Sequence, residues 1–168
     1  MIRVLCSVSE LEEDGEVVTV GDRVERQAEF ASRGFFGTEL DRIRWHFDQY
    51  AEARVSQPWL ISGTVESLSA VYVALAQVRL PRQEWMHVPG SARLEPLEST
   101  RETRSPQRER ERTALLKQPP PADVFGSYGH PLAYPKDGDE DHAGWCFTLV
   151  DETVRPWPSA AVQPRPRP

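Results

Sequence analysis

Residues 59–80 constrain this chain more than any other stretch. They read WLISGTVESL and then, after Ser69, AVYVALAQVRL. β-Branched and aromatic residues dominate, which favours a pleated, half-buried surface over a helix. Gly63 lets a strand bend, and Pro81 closes the run. The stretch is therefore one long bent strand or a hairpin about Glu66–Ser69, and a chain built around it is mainly β.

Other extended segments surround it. Ile2, Val4, Cys6 and Val8 alternate with Arg3, Leu5 and Ser7, the period of a half-buried strand. An acidic turn over Glu10–Glu16 contains Asp14-Gly15, a hairpin signal. Val17, Val18 and Val20 resume the pattern, and Val24, Ala28 and Phe30 predict a further strand after Gly21-Asp22. Ala92–Leu97 forms a short strand after the Pro89-Gly90 turn. Gly144–Val150 (GWCFTLV) alternates again and returns to the sheet.

One helix is expected. Thr38 is a suitable N-cap, with Asp41 three residues on. Leu40, Ile43, Phe47 and Ala51 recur at helical spacing, and Pro58 limits the continuation.

Residues 99–143 differ in composition. Arg, Glu, Pro, Ser and Gly dominate, with Pro119-Pro120-Pro121 in the middle. Ser105-Pro106 can start a helix through Leu116, but the stretch carries too little apolar surface to fold alone. The expected architecture is a single β-barrel-like domain from 1–98 plus 144–152. A polar, Pro-rich insertion over 99–143 and a disordered Pro-rich tail over 153–168 complete it.

Charge and cysteine content narrow the function. The net charge is −6 and concentrates in residues 1–100, an acidic body that disfavours nucleic acid. The two lysines stand against eighteen arginines, asparagine is absent and isoleucine occurs three times, the codon bias of a GC-rich, bacterial genome. Cys6 and Cys146 lie in separate apolar stretches and form no Cys-x-x-Cys pair, so both are expected as buried core residues. No apolar run approaches the ~20 residues of a membrane span, and the acidic N-terminus does not resemble a signal peptide. A cytoplasmic location without membrane association is expected.

The segments VGDRV (20–24) and GTVESLSAV (63–71) resemble SH3-like small β-barrels, in which a Gly-Asp turn precedes one strand and a Gly-x-Val pair opens another. The order of elements is also similar to an uncharacterised domain-of-unknown-function family of GC-rich bacteria. The likeness spans most of 1–98 and about 144–152. It implies a fold and no activity.

No catalytic signature emerges. Phe125-Gly126-Ser127-Tyr128-Gly129 misses the nucleophile elbow, and His46, His87, His130 and His142 lack evident partners. Asp137, Asp139, Asp141 and His142 suit a hard cation and define a rival reading as a metal-dependent enzyme. However, the spacing does not match a Ca²⁺ loop. A third reading is weak nucleic-acid binding by the small barrel. The leading expectation is a non-enzymatic interaction module without a cofactor. It takes a protein partner, basic in character, on an acidic helix face where Asp41, Asp48 and Glu52 surround an exposed Trp45.

Overall fold

The computed structural model describes residues 1–12, 15–31, 39–51, 57–79, 83–117 and 135–158. The chain is mainly β, and its described residues form a single sheet of seven strands. Strand β1 (Ile2–Ser7) runs into a one-turn helix α1 (Val8–Glu12). Next come β2 (Arg23–Phe30), a 3-10 turn (Glu39–Arg42) and β3 (Trp45–Phe47). The long strand β4 (Trp59–Arg79) leads to β5 (Gln83–His87) and β6 (Arg93–Leu97). A second 3-10 turn (Thr100–Glu102), helix α2 (Pro106–Lys117) and β7 (Glu140–Pro156) follow.

Residues 59–79 form one strand of 21 residues, not a hairpin. Straight, it would reach about 70 Å, longer than the roughly 40 Å width of a domain of this size. It bends instead. Register shifts against β7 fall between Ser62 and Thr64, Val65 and Ser67, and Val71 and Tyr72. Gly63 sits at the first of these, where a Cβ would lie 3.0 Å from the Val150 carbonyl oxygen.

The bends let the pairings close on themselves. β1 pairs with β7, β7 with β4, β4 with β2 and β2 with β3, all antiparallel. β3 then pairs in parallel with β1. These five strands form a ring, while β5 and β6 extend from the far half of β4.

Period-two alternation gives the ring an inside and an outside. Val4, Cys6, Ala28, Phe47, Ile61, Tyr72 and Phe147 fill the interior. On the outer face, Leu5, Val71, Val73 and Cys146 form a smaller cluster under Leu40 and Ile43 of the first 3-10 turn. Both cysteines are free and buried, and they lie on opposite faces because Leu5, not Cys6, is in register with Cys146.

The predicted helix over Leu40–Ala51 does not form. Its apolar positions are nonetheless buried: Leu40, Ile43, Phe47 and Ala51 are all under 5% exposed. A 3-10 turn followed by a strand satisfies the same spacing, because Phe47 joins the ring interior while Leu40 and Ile43 cover the outer cluster. The β-prone residues Trp45 and Phe47 settle the competition for a strand.

Helix α2 lies where Ser105-Pro106 suggested. A polar clasp holds it and the segment before it. Tyr72 is fully buried; its hydroxyl donates to the Arg104 carbonyl at 3.0 Å and accepts from the Arg104 N–H at 3.1 Å. The guanidinium groups of Arg93 and Arg104 lie 4.6 and 5.4 Å from its ring centre. Arg93 also grips Glu140 with Nε and Nη2, and this holds the Glu140 carboxyl below its usual range. The indole Nε1 of Trp145 donates to Thr103 Oγ1 at 2.8 Å. Strand β7 starts at Glu140, inside the expected insertion, and reaches Pro156, beyond the expected start of the tail. The Pro119–Pro121 run, the Phe125–Gly129 segment, His130 and residues 159–168 lie outside the described residues.

Candidate functional site

The expected acidic helix face has no structural counterpart. Trp45 belongs to strand β3 and is half-buried, not exposed. Its ring meets Phe30 edge-on at 4.8 Å and Trp59 at 5.8 Å, packed at the margin of the interior core. Asp48 is 5% exposed, and its Oδ1 accepts from the Tyr50 N–H at 2.8 Å. The Asp41 side chain and Glu52 lie outside the described residues.

Asp48 does, however, border a cavity of about 280 Å³ on the outer face of the ring. Two rows of residues make its floor. In the first, Glu29 on β2 is opposite His46 on β3, which is opposite Leu5 on β1. One pleat along, the Asp48 N–H donates to the Gln27 carbonyl, and Ser7 is opposite Gly144. Gly144 packs directly against the β1 backbone at that end, and Leu5, Val71 and Ala143 supply apolar wall.

Three acidic residues from three elements line this space: Glu10 from α1, Glu29 from β2 and Asp48 from the turn after β3. Glu10 is 9% exposed, and its Oε2 accepts from the Gln49 N–H at 2.9 Å, which ties α1 to that turn. His46 sits among them as a neutral imidazole, since burial pulls its pKa down to about 4, against a weaker opposing pull from the Ile43 carbonyl and Asp48. At the margin, His87 Nε2 is 3.6 Å from Asp141 Oδ2. The chemistry available is that of an apolar slot with acidic edges, the general form of a ligand site.

Of the residues lining this space, the sequence argument singled out Asp48, on a helix face that does not form, and did not single out Glu10, Glu29 or His46 as a site. Glu29 alternates with Ala28 and Phe30 as a strand residue should, but only the register of β2 against β3 sets it beside His46.

The rival metal loop does not assemble. The Asp137 Oδ1 accepts from the Gln77 N–H at 2.7 Å, and the Asp139 Oδ2 accepts from the Lys136 N–H at 2.9 Å. Asp141 faces His87, and the His142 ring lies 4.6 Å from that of Trp145. Among the described residues no group of three or more His, Cys, Asp or Glu is placed to hold a metal ion. Also among them, no helix is long and apolar enough to cross a membrane.

The cysteines offer no nucleophile. Burial pushes the Cys6 thiol up to about 12 and raises that of Cys146 as well. Thiolate is the reactive form, so both should resist an aromatic disulfide reagent at pH 8 in the native protein and react once guanidinium unfolds it. Rapid labelling of the native protein would show that the strands carrying them open readily.

In comparisons with family models, curated proteins and solved structures, nothing matches this chain.

Proposed function

We propose that this chain is a non-catalytic interaction module that takes a basic protein partner at the outer-face cavity. One observation carries the reading: Glu10, Glu29 and Asp48 come from separate elements to the edges of one apolar-walled space. An acidic body with net charge −6 adds long-range attraction for a cationic partner. The reading keeps Asp48 from the sequence argument. It replaces the helix face around Trp45 with strands β1, β2 and β3.

The test is a charge reversal at the half-buried Glu29, read by fluorescence polarisation with labelled peptides rich in Lys and Arg. Glu29→Arg should weaken peptide binding by about tenfold or more, since losing one well-placed charge pair is worth roughly 1.4 kcal/mol or above. The same reversal at the exposed Glu66 changes net charge equally and should leave binding within about twofold, as expected for a charge outside the contact. Equal losses from both variants would mean that net charge alone attracts the peptides, and the cavity assignment would fail.

A further inference from the structure

Helix α2 reads PQRERERTALLK and has no apolar face. Among its described side chains only Pro106 is buried, and Leu116 is 80% exposed. A helix of twelve residues is marginal in water on its own, and an apolar stripe packed on a core normally holds it. Here the hold on β7 is polar instead. Arg110 Nη1 donates to the Glu140 carbonyl at 2.9 Å, and the same guanidinium lies 3.9 Å from Asp139 Oδ2. Charge pairs near the surface contribute little and weaken in salt. Docking also carries a cost, because Arg110 Nε is buried without a hydrogen-bond partner among the described residues.

Two hollows undercut the helix. A cavity of about 860 Å³ has Gln107 and Glu111 on one side and Leu11 and Trp145 on the other. A second, of about 650 Å³, has Glu109 and Thr113 facing Lys136 and Asp139. The segment before the helix is fixed, by contrast. Thr103 accepts from the Trp145 indole, and both backbone polar groups of Arg104 bond the Tyr72 hydroxyl. Ser105 stands between the fixed part and the undercut one.

We infer that α2 is a detachable strap, which lifts from β7 about Ser105 while the sheet stays folded, and that raised ionic strength favours the lifted state. Lifting removes one wall of the larger cavity and opens its Leu11 and Trp145 side to solutes.

The experiment is amide hydrogen exchange, followed by NMR on the full chain at low and high NaCl concentration. The amides of Arg110–Leu116 should exchange through one shared opening, at least about 100-fold faster than those of β4 and β7 yet slower than an unstructured peptide. High salt should speed them about threefold or more and leave β4 and β7 unchanged. Arg110→Gln should speed the same amides about fivefold and blunt the salt effect. Arg112→Gln changes charge equally at an exposed position of the helix and should stay within about twofold. Exchange of α2 in step with β4 and β7 would show that it opens only when the sheet does, and the strap would be refuted. Unprotected amides at both salt concentrations would mean that α2 is not docked at all. Protection that ignores salt, or equal acceleration by both variants, would rule out the ionic hold through Arg110.

Discussion

Gly144→Ala is expected to destabilise the fold by about 3–5 kcal/mol, a combination of backbone strain and overpacking. Gly144 has φ +150°, which L residues rarely adopt, and it lies in the middle of β7 opposite Ser7. A Cβ there would press into the Cys6 carbonyl oxygen and stand 3.0 Å from the Ser7 Cα. Both obstacles are backbone atoms of β1, so no side-chain rotation relieves the contact. The strand pair that closes the ring must separate or shift. A loss of this size is a large part of the 5–15 kcal/mol typical of a folded domain and corresponds to a fall in Tm of roughly 8–15 °C. Urea and thermal unfolding of the single variant measure it. A change below about 1 kcal/mol would show that β1 and β7 adjust freely at this crossing.

The second large effect is a loss of stability in acid. Unfolded, His46 takes up a proton near its ordinary pKa of 6.5; folded, it does so only near 4. Between those values the unfolded chain binds a proton that the folded chain refuses. Stability is therefore complete above pH 6.5, declines as the pH falls, and the whole contribution is gone once the folded-state value is passed. The shift corresponds to roughly 3 kcal/mol at full burial, and partial solvent contact brings the expected loss to about 2 kcal/mol. Urea midpoints at pH 7.5, 5.5 and 4.2 trace the decline, and His46→Gln should flatten it. Glu140 works in a separate window. Its pKa is lowered by Arg93, so the stability it adds is present above its ordinary value of 4.5 and lost below it. A slope that survives unchanged in His46→Gln would place the proton uptake on another group.

Much of the β architecture was legible in the residues. The alternation of Ile2–Val8 and Gly144–Val150, the β-branched run from Trp59 and the Pro89-Gly90 turn each marked a strand that the fold contains. The weak point was the segment from Leu40 to Ala51. Apolar spacing of three and four reports which residues turn inward, and it did so correctly. It does not report whether one helix or a turn and a strand bring them there. The cavity was less legible for a related reason. Glu10, Glu29 and Asp48 lie 19 residues apart in each step along the chain, and no local pattern joins them. What joins them is the parallel pairing of β1 with β3 and the antiparallel pairing of β3 with β2, both set by packing across the whole ring. The polar clasp around Tyr72 escaped notice likewise, because its partners Arg93, Arg104 and Glu140 stand on three separate segments.

The ring closure also bears on how this protein is made. Strand β1 finds one of its two partners in β7, far along the chain, with Ile2 opposite Leu149 and Ser7 opposite Gly144. A ribosome that has released residues 1–139 has therefore produced β4 with the edge that β7 will cover still bare, together with an interior that lacks Trp145, Phe147 and Leu149. Such an intermediate presents unpaired backbone and apolar surface to its neighbours. The ring closes only once residues 140–156 have emerged, because β7 supplies both the partner of β1 and part of the interior.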